Sequence, residues 1–359
     1  VFDYLRESSN NYESIYQMIG NVSKDYDLDG LASLIGKYSC DYMSIEELEK
    51  ILLPSSSVRI YGFFFSMGES FGENFGSFNH AFQTEIVKLA YLVNDIEFAN
   101  GLGRGVGDIF DRLNEGVQRE LIEFARENKE FANGLGFGVG YIFDRLKKDV
   151  QVELIELARK NERFAPGLGF GVGYIFDRLN EGVQRELIEF ARENKEFANG
   201  LGSHVGYIFD RLNEGVQREL IEFARKNERF APGLGFGVVD IFDRLKKDVQ
   251  VELIELAREN KEFANGLGSS VGYIFDRLKK DVQVELIELA RKNERFAPRL
   301  GFGVGRIFDR LNEGVQKELI EFAWENEEFA DGLGSGVRYI FDRLKESIQG
   351  KLKELARKD

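Results

Sequence analysis

Apolar residues return along most of this chain in two alternating stripes. In the stretch 98–113, Phe98, Leu102, Val106, Ile109, Phe110 and Leu113 fall on one side at 100° per residue, the pattern of a helix with one buried face. A second stripe follows at Val117, Leu121, Phe124 and Ala125. The whole pattern then restarts at Phe131, Phe164, Phe197, Phe230, Phe263, Phe296 and Phe329, always 33 residues further on and with no insertion. Eight such units fill residues 98–359, the last of them two residues short. Numbered from its first Phe, each unit is predicted to be a helical hairpin, with helix A near positions 3–16 and helix B near positions 19–30. Asn100 or Pro166 at position 3 suits the start of helix A, and the Asn-Glu-Gly at Asn114 or the Lys-Lys-Asp ending at Asp149 offers a cap for helix B.

A strand competes with helix A, because the glycine-rich run 134–141 also alternates with period two. Four glycines in one helix cost about 4 kcal/mol relative to alanine. Helix is preferred because the 3.6-residue stripe runs straight through the glycines. Upstream, Met67, Gly68, Phe71, Gly72, Phe75 and Phe78 follow the same order of apolar and small residues, so 63–97 reads as a degenerate unit. Residues 1–62 show no match. Ser44-Ile45-Glu46-Glu47 has the form of a capping box and Pro54 ends the segment it opens, so 1–62 is expected to be an N-terminal helical cap.

The glycines occur on two flanks of helix A. Gly136 and Gly140, at positions 6 and 10, lie on one flank, and the pair at positions 4 and 8 lies on the other. At this spacing small residues let two helix backbones approach closely. Each A helix is therefore expected to lie against the A helices before and after it, while the bulkier B helices form a thicker layer. The predicted fold is all-α, a right-handed α-solenoid whose A helices line its concave side.

The face of helix A opposite its apolar stripe carries positions 7 and 11. There the chain places Phe137 with Tyr141, Phe170 with Tyr174, Tyr207, Phe236, Tyr273, Phe302 with Arg306, and Tyr339, with His204 beside them at position 8. Large aromatics outside the core, repeated along a groove, fit a binding surface; they also fit space-filling between units. Serine at position 7 in three units, Ser203, Ser269 and Ser335, shows that Phe is dispensable to the fold. Asp111, Arg112 and Gln118 recur in every unit and Asn128 in all but the last, as expected of ladders that satisfy turn backbone groups. Lys353 stands where seven units have Ile122 or its equivalent, and is expected where no further unit stacks.

Composition narrows the chemistry. The 359 residues include 39 glycines, 4 prolines, 2 histidines and 1 cysteine. One cysteine excludes an internal disulfide framework, and two histidines with one thiol supply no conventional zinc site, so no metal or cofactor is expected. His80 and His204 lie in different units, Cys40 reads as a small buried residue, and the glycine runs match no nucleotide fingerprint, so an enzyme is not expected. No apolar run approaches the roughly 20 residues of a membrane helix, and no secretory segment opens the sequence, so no membrane and a cytoplasmic location are expected. Net charge is −14, unevenly spread: residues 1–97 carry 6 basic and 15 acidic groups, and residues 98–359 carry 42 and 47. No basic stripe is left for nucleic acid.

The hairpin period resembles the α-solenoid class that includes tetratricopeptide and HEAT-like repeats. Leu135-Gly136 and Ala158 are similar to tetratricopeptide small-residue positions, although the 33-residue length and the Phe-Ala-Asn/Pro turn depart from that consensus. The resemblance implies a scaffold whose partner is a protein or peptide. A structural or self-assembling solenoid is the alternative. The unit is also similar in outline to the DNA-reading effector repeats of plant pathogens, but those read bases from an interhelical loop, whereas this chain varies inside helix A; nucleic acid therefore ranks third.

Overall fold

In the computed structural model, which describes Lys37, residues 62–92 and residues 96–357, every regular element is a helix. Apart from Lys37 and Gly62, the expected cap over 1–62, with Cys40, lies outside the described residues. The chain divides into two compact units, Val1–Ile175 and Phe176–Asp359. The first contains α1 (Phe63–Glu73), α2 (His80–Leu92), α3 (Ile96–Asp108), α4 (Glu115–Glu127), α5 (Lys129–Tyr141), α6 (Lys148–Lys160) and α7 (Phe164–Tyr174). The glycine-rich helices α1, α3, α5 and α7 pack in succession, and α4 and α6 pack beside each other.

The second unit contains α8 (Glu181–Glu193), α9 (Lys195–Val205), α10 (Glu214–Lys226), α11 (Ala231–Gly237), α12 (Lys247–Glu259), α13 (Lys261–Val271), α14 (Lys280–Lys292), α15 (Phe296–Arg306), α16 (Glu313–Glu325), α17 (Glu327–Val337) and α18 (Glu346–Leu355). Here α9, α11, α13, α15 and α17 pack one on the next, as do α8, α10, α12 and α14, and α16 meets α18. The core lies between the two sets. Phe131, Leu135, Val139 and Phe143 are fully buried in the first unit, as are Phe230, Leu234, Val238 and Phe242 in the second. Aromatic pairs join consecutive helices across the turn, with Phe124 and Phe131 centroids 4.7 Å apart and Phe322 and Phe329 4.5 Å apart.

Helix boundaries differ from the sequence expectation in three ways. First, α5 opens at Lys129, so Asn133 lies inside it and does not cap it. The cap is Asn128, whose Oδ1 accepts from the Phe131 amide at 2.9 Å while its own N–H donates to the Phe124 carbonyl at 2.9 Å. One extended residue thus closes α4 and opens α5, which leaves no loop between them. Second, helix A is not continuous to position 16. At Ile142, φ −114° and ψ 9° break the α-helix, and Phe143–Arg145 forms a separate 3-10 turn. Gln151 Nε2 donates to the freed Phe143 carbonyl at 2.7 Å, and Gln118 does the same for Phe110 at 2.6 Å. Third, the Lys-Lys-Asp cassette supplies no side-chain cap: Lys147 is the first flanking residue of α6 and Asp149 lies in the first turn, whereas Asn114 Oδ1 accepts from Val117 at 3.0 Å. Lys147 Nζ instead donates to Glu115 Oε1 at 2.8 Å, tying the start of α6 to that of α4.

The glycine-rich run 134–141 is helical, which settles the strand alternative. Its glycines face neighbouring backbones. A Cβ at Gly138 would lie 2.4 Å from the Arg104 carbonyl oxygen and 2.7 Å from Gly107 Cα, and one at Gly136 would lie 2.5 Å from the Phe164 carbonyl oxygen. Both flanks of α5 are therefore in backbone contact, one with α3 and the other with α7. His204, Val239 and Ser270 replace glycine at position 8 or 10 in the second unit, and there the 3-10 segment lengthens to Gly206–Arg211, Val238–Arg244 and Gly272–Arg277, whereas Arg338 at position 10 is followed by the short Phe341–Arg343 turn.

Two glycine substitutions should move stability in opposite directions. Gly138→Ala forces a methyl into the α3 backbone and is expected to destabilise by about 2 kcal/mol or more. Gly350→Ala, where a Cβ meets nothing within 4 Å inside α18, is expected to stabilise by about 1 kcal/mol through helix propensity. Urea unfolding measures both; similar effects at the two positions would contradict the packing assignment.

Candidate binding face

In α5 glycine contacts fix both flanks, one against α3 and the other against α7, and this leaves one side of the helix free. In the first unit that side carries Arg104 and Asp108 on α3, Phe137 and Tyr141 on α5, and Phe170 and Tyr174 on α7. Four residues separate the members of each pair, so they stand one turn apart on their helix. Successive helices bring equivalent side chains together: Phe137 and Phe170 centroids are 4.8 Å apart, Tyr141 and Tyr174 are 5.4 Å apart, and Phe170 lies 5.4 Å from Tyr174. Phe137, Tyr141 and Phe170 are half-buried, and Tyr174 is 43% exposed. Arg104 pairs with Glu69 at 3.2 Å and lies 5.9 Å above the Phe65 ring. Burial raises the Asp108 carboxyl above its ordinary value, and burial likewise raises the Tyr141 hydroxyl.

In the second unit the same side carries Tyr207, Phe236, Tyr273, Phe302, Arg306 and Tyr339. Tyr207 and Phe236 meet edge to face at 6.4 Å, and Tyr273 and Phe302 do so at 6.4 Å. Phe236 is 49% exposed and Tyr339 51%. Arg306 stacks 4.3 Å above the Tyr339 ring. Serines at the Phe position turn back on their own helix: Ser203 Oγ donates to the Asn199 carbonyl at 2.9 Å and Ser269 Oγ to Asn265 at 2.8 Å. A hollow of about 420 Å³ opens between Ser269, Tyr273, Arg299, Phe302, Asp331 and Ser335. Arg299 is a residue that the sequence reading missed. It fills a position that is glycine in the other seven units, a departure visible in the sequence that the aromatic pattern overshadowed.

His204 is placed differently from the aromatics it was grouped with. It is only 8% exposed, with its ring 5.9 Å from Tyr207, and burial lowers its pKa to about 4. The recurrent polar residues sit away from the aromatic side. Asp111 pairs with Arg145 of the next 3-10 turn at 3.6 Å, Asp243 pairs with Arg277 at 3.4 Å, and Arg112 is exposed. Asn161 Nδ2 donates to the Ala125 carbonyl at 2.9 Å while its Oδ1 accepts from the Phe164 amide that opens α7, and Asn260 Nδ2 donates to the Ala224 carbonyl while its Oδ1 caps α13. Gly140 faces Gly171, with a Cβ reaching 2.8 Å from its Cα. Lys353 is exposed, its Nζ 5.5 Å from the Phe341 ring centroid, and a Cβ at Gly334 would meet nothing within 4 Å.

Chemically, the face offers aromatic surface, tyrosine hydroxyls and guanidinium groups, and no paired nucleophile and base. Among the described residues no group of three His, Cys, Asp or Glu is arranged to hold a metal ion, and no helix is long and apolar enough to cross a membrane.

The buried imidazole gives a pH signature. With the folded pKa near 4 and the unfolded one near 6.5, the unfolded chain binds more protons between those values, so stability is full above pH 6.5 and falls as pH drops toward 4. His204→Gly, the residue that most sister units carry, should remove on the order of 1 kcal/mol of the stability difference between pH 7 and pH 5 in urea unfolding. An unchanged difference would show that His204 is solvated.

No protein-family model, no curated protein and no solved structure matches this chain.

Proposed function

We propose that the chain is a right-handed α-solenoid of 33-residue two-helix repeats, without catalytic activity, that binds a protein or peptide along the Phe/Tyr-lined side of its A helices. The observation that carries this reading is the exposure of Tyr174, Phe236, Tyr273 and Tyr339 at positions that face away from the buried apolar stripe. Exposed aromatics in a row cost solubility and, where serine suffices in sister units, add nothing that the fold requires. Aromatic side chains give a partner large contact area for little lost rotamer freedom. A peptide laid across successive helices meets the same pair of positions at each step, which suits extended segments. Nucleic acid is disfavoured by the net charge of −14.

Replacing Phe137, Phe170 and Phe236 with Ser tests this directly. The variant is expected to melt close to the wild type, well above a core Leu135→Ala variant that loses about 2–5 kcal/mol, and to lose the partners that the wild type captures from lysate. Captured partners that are unchanged, together with a melting loss as large as that of Leu135→Ala, would make the aromatics packing and sink the reading.

A further inference from the structure

The aromatic side of the second unit ends in a patch whose charge opposes that of the molecule. On α15, Arg299, Phe302 and Arg306 share one helix face at spacings of three and four residues. Just past the end of α17, Arg338 and Tyr339 adjoin them. All three arginines depart from the sister units, where position 4 is otherwise glycine, position 10 glycine or valine, and position 11 tyrosine or aspartate. Each guanidinium is held by a neutral partner. Arg299 Nη1 donates to Ser269 Oγ at 2.9 Å, Arg306 lies 4.3 Å above Tyr339, and Arg338 lies 4.7 Å from the same ring while its Nη2 donates to Tyr339 Oη at 2.6 Å. Among the described residues none of the three meets a carboxylate at ion-pair distance. Other arginines do: Arg104 pairs with Glu69 at 3.2 Å, and Arg295 with Glu262 at 2.8 Å.

A chain with 62 acidic residues has carboxylates to spare, yet leaves Arg299 unmatched in the wall of a 420 Å³ hollow that Tyr273 and Phe302 also line, and Arg306 and Arg338 unmatched on the neighbouring Tyr339 ring. We propose that Arg299, Arg306 and Arg338, with Tyr273, Phe302 and Tyr339, form a docking site for an acidic peptide in which carboxylates alternate with aromatic or aliphatic side chains. This rests on the reading that the aromatic side binds a peptide, and it names which peptide and where. A guanidinium stacked on a ring keeps its N–H edge free to grip a carboxylate with two parallel hydrogen bonds. Tyr273 and Phe302, edge to face, leave apolar surface for the intervening side chains. Asp331 at the edge of the hollow disfavours a purely polyanionic ligand, as does the net charge beyond the patch. The positive field is already felt by Tyr339, whose hydroxyl is held below its ordinary value by the hydrogen bond from Arg338, with Arg306 adding to the effect.

The test is fluorescence anisotropy on the full chain with a labelled Asp-Tyr-Asp-Phe-Asp-Leu-Asp peptide, its all-Asn counterpart and a ten-residue oligouridine. The acidic peptide should bind, weaken with added salt, and bind at least about tenfold tighter than the Asn peptide. R299Q/R306Q/R338Q should lose about tenfold or more with an unchanged melting curve. R299G/R306Y/R338G, built from sister-unit residues, should do the same and guards against a folding defect. Failure of the acidic peptide to bind, equal binding of the Asn peptide, or full affinity in both variants overturns the proposal. Tighter binding of oligouridine through the same arginines overturns it in favour of a phosphate polymer. Equal binding of both peptides that F302S abolishes leaves the aromatic-side reading standing and removes only the acidic specificity.

Discussion

Backbone contact between successive glycine-rich helices is the constraint on which the other features depend. In α5 it closes both flanks, with Gly134 and Gly138 against α3 and Gly136 and Gly140 against α7. The propensity cost of about 4 kcal/mol per helix is offset by dispersion along the touching backbones and by the apolar stripe that this approach seats on helix B, where each buried Phe contributes about 1.5–3 kcal/mol. With core on one side and a neighbour on each flank, only one side of each helix remains. Positions 7 and 11 fall there by geometry. Their closeness across helices, 4.8 Å for Phe137 and Phe170, follows from the same thin spacing.

The polar residues that recur serve this arrangement by fixing how one helix hands over to the next. Asn128, Asn194, Asn260 and Asn326 each end helix B and begin helix A with a single residue, whereas a short turn follows Asn161, Asn227 and Asn293; Asn161 and Asn260 also reach back to the preceding helix B. Gln118 and its equivalents give a second hydrogen bond to the carbonyl that opens the 3-10 turn, which in the case of Phe110 otherwise accepts only the long backbone bond from Leu113 at 3.3 Å. Together they hold the chain to one register through very short connections. Exposed pairs such as Lys147 with Glu115 and Lys246 with Glu214 add little stability individually. Where a Lys-Lys-Asp cassette follows an Asn-Glu-Gly one, its first lysine meets the glutamate of the other.

Much of the helical architecture was legible because its signal is redundant. The stripe through Phe98, Leu102, Val106 and Phe110 repeats eight times, and the glycine flanks follow from the same wheel. The turn chemistry was less legible. Asn128 and Asn133 are both plausible caps of α5 by type, and only the extended backbone at Asn128 selects it. The break at Ile142 carries no Gly or Pro, because it is imposed by packing of Phe143 into the core and not by local propensity. On the aromatic side, the pairs at positions 7 and 11 were visible, but Arg299 and the burial of His204 were not. Both occupy glycine positions, and what a side chain does there depends on how far the neighbouring backbone gives way.

The most direct measurement of the central claim is a double-mutant cycle on one glycine pair. A Cβ at Gly140 would lie 2.8 Å from Gly171 Cα, and one at Gly171 would lie 2.7 Å from Gly140 Cα. If the two backbones touch there, the first methyl already separates the helices and the second costs less, so unfolding energies for Gly140→Ala, Gly171→Ala and the double variant should miss additivity by about 0.5 kcal/mol or more. Additivity within about 0.3 kcal/mol, with small single effects, would mean that the helices are not in backbone contact and would contradict the account.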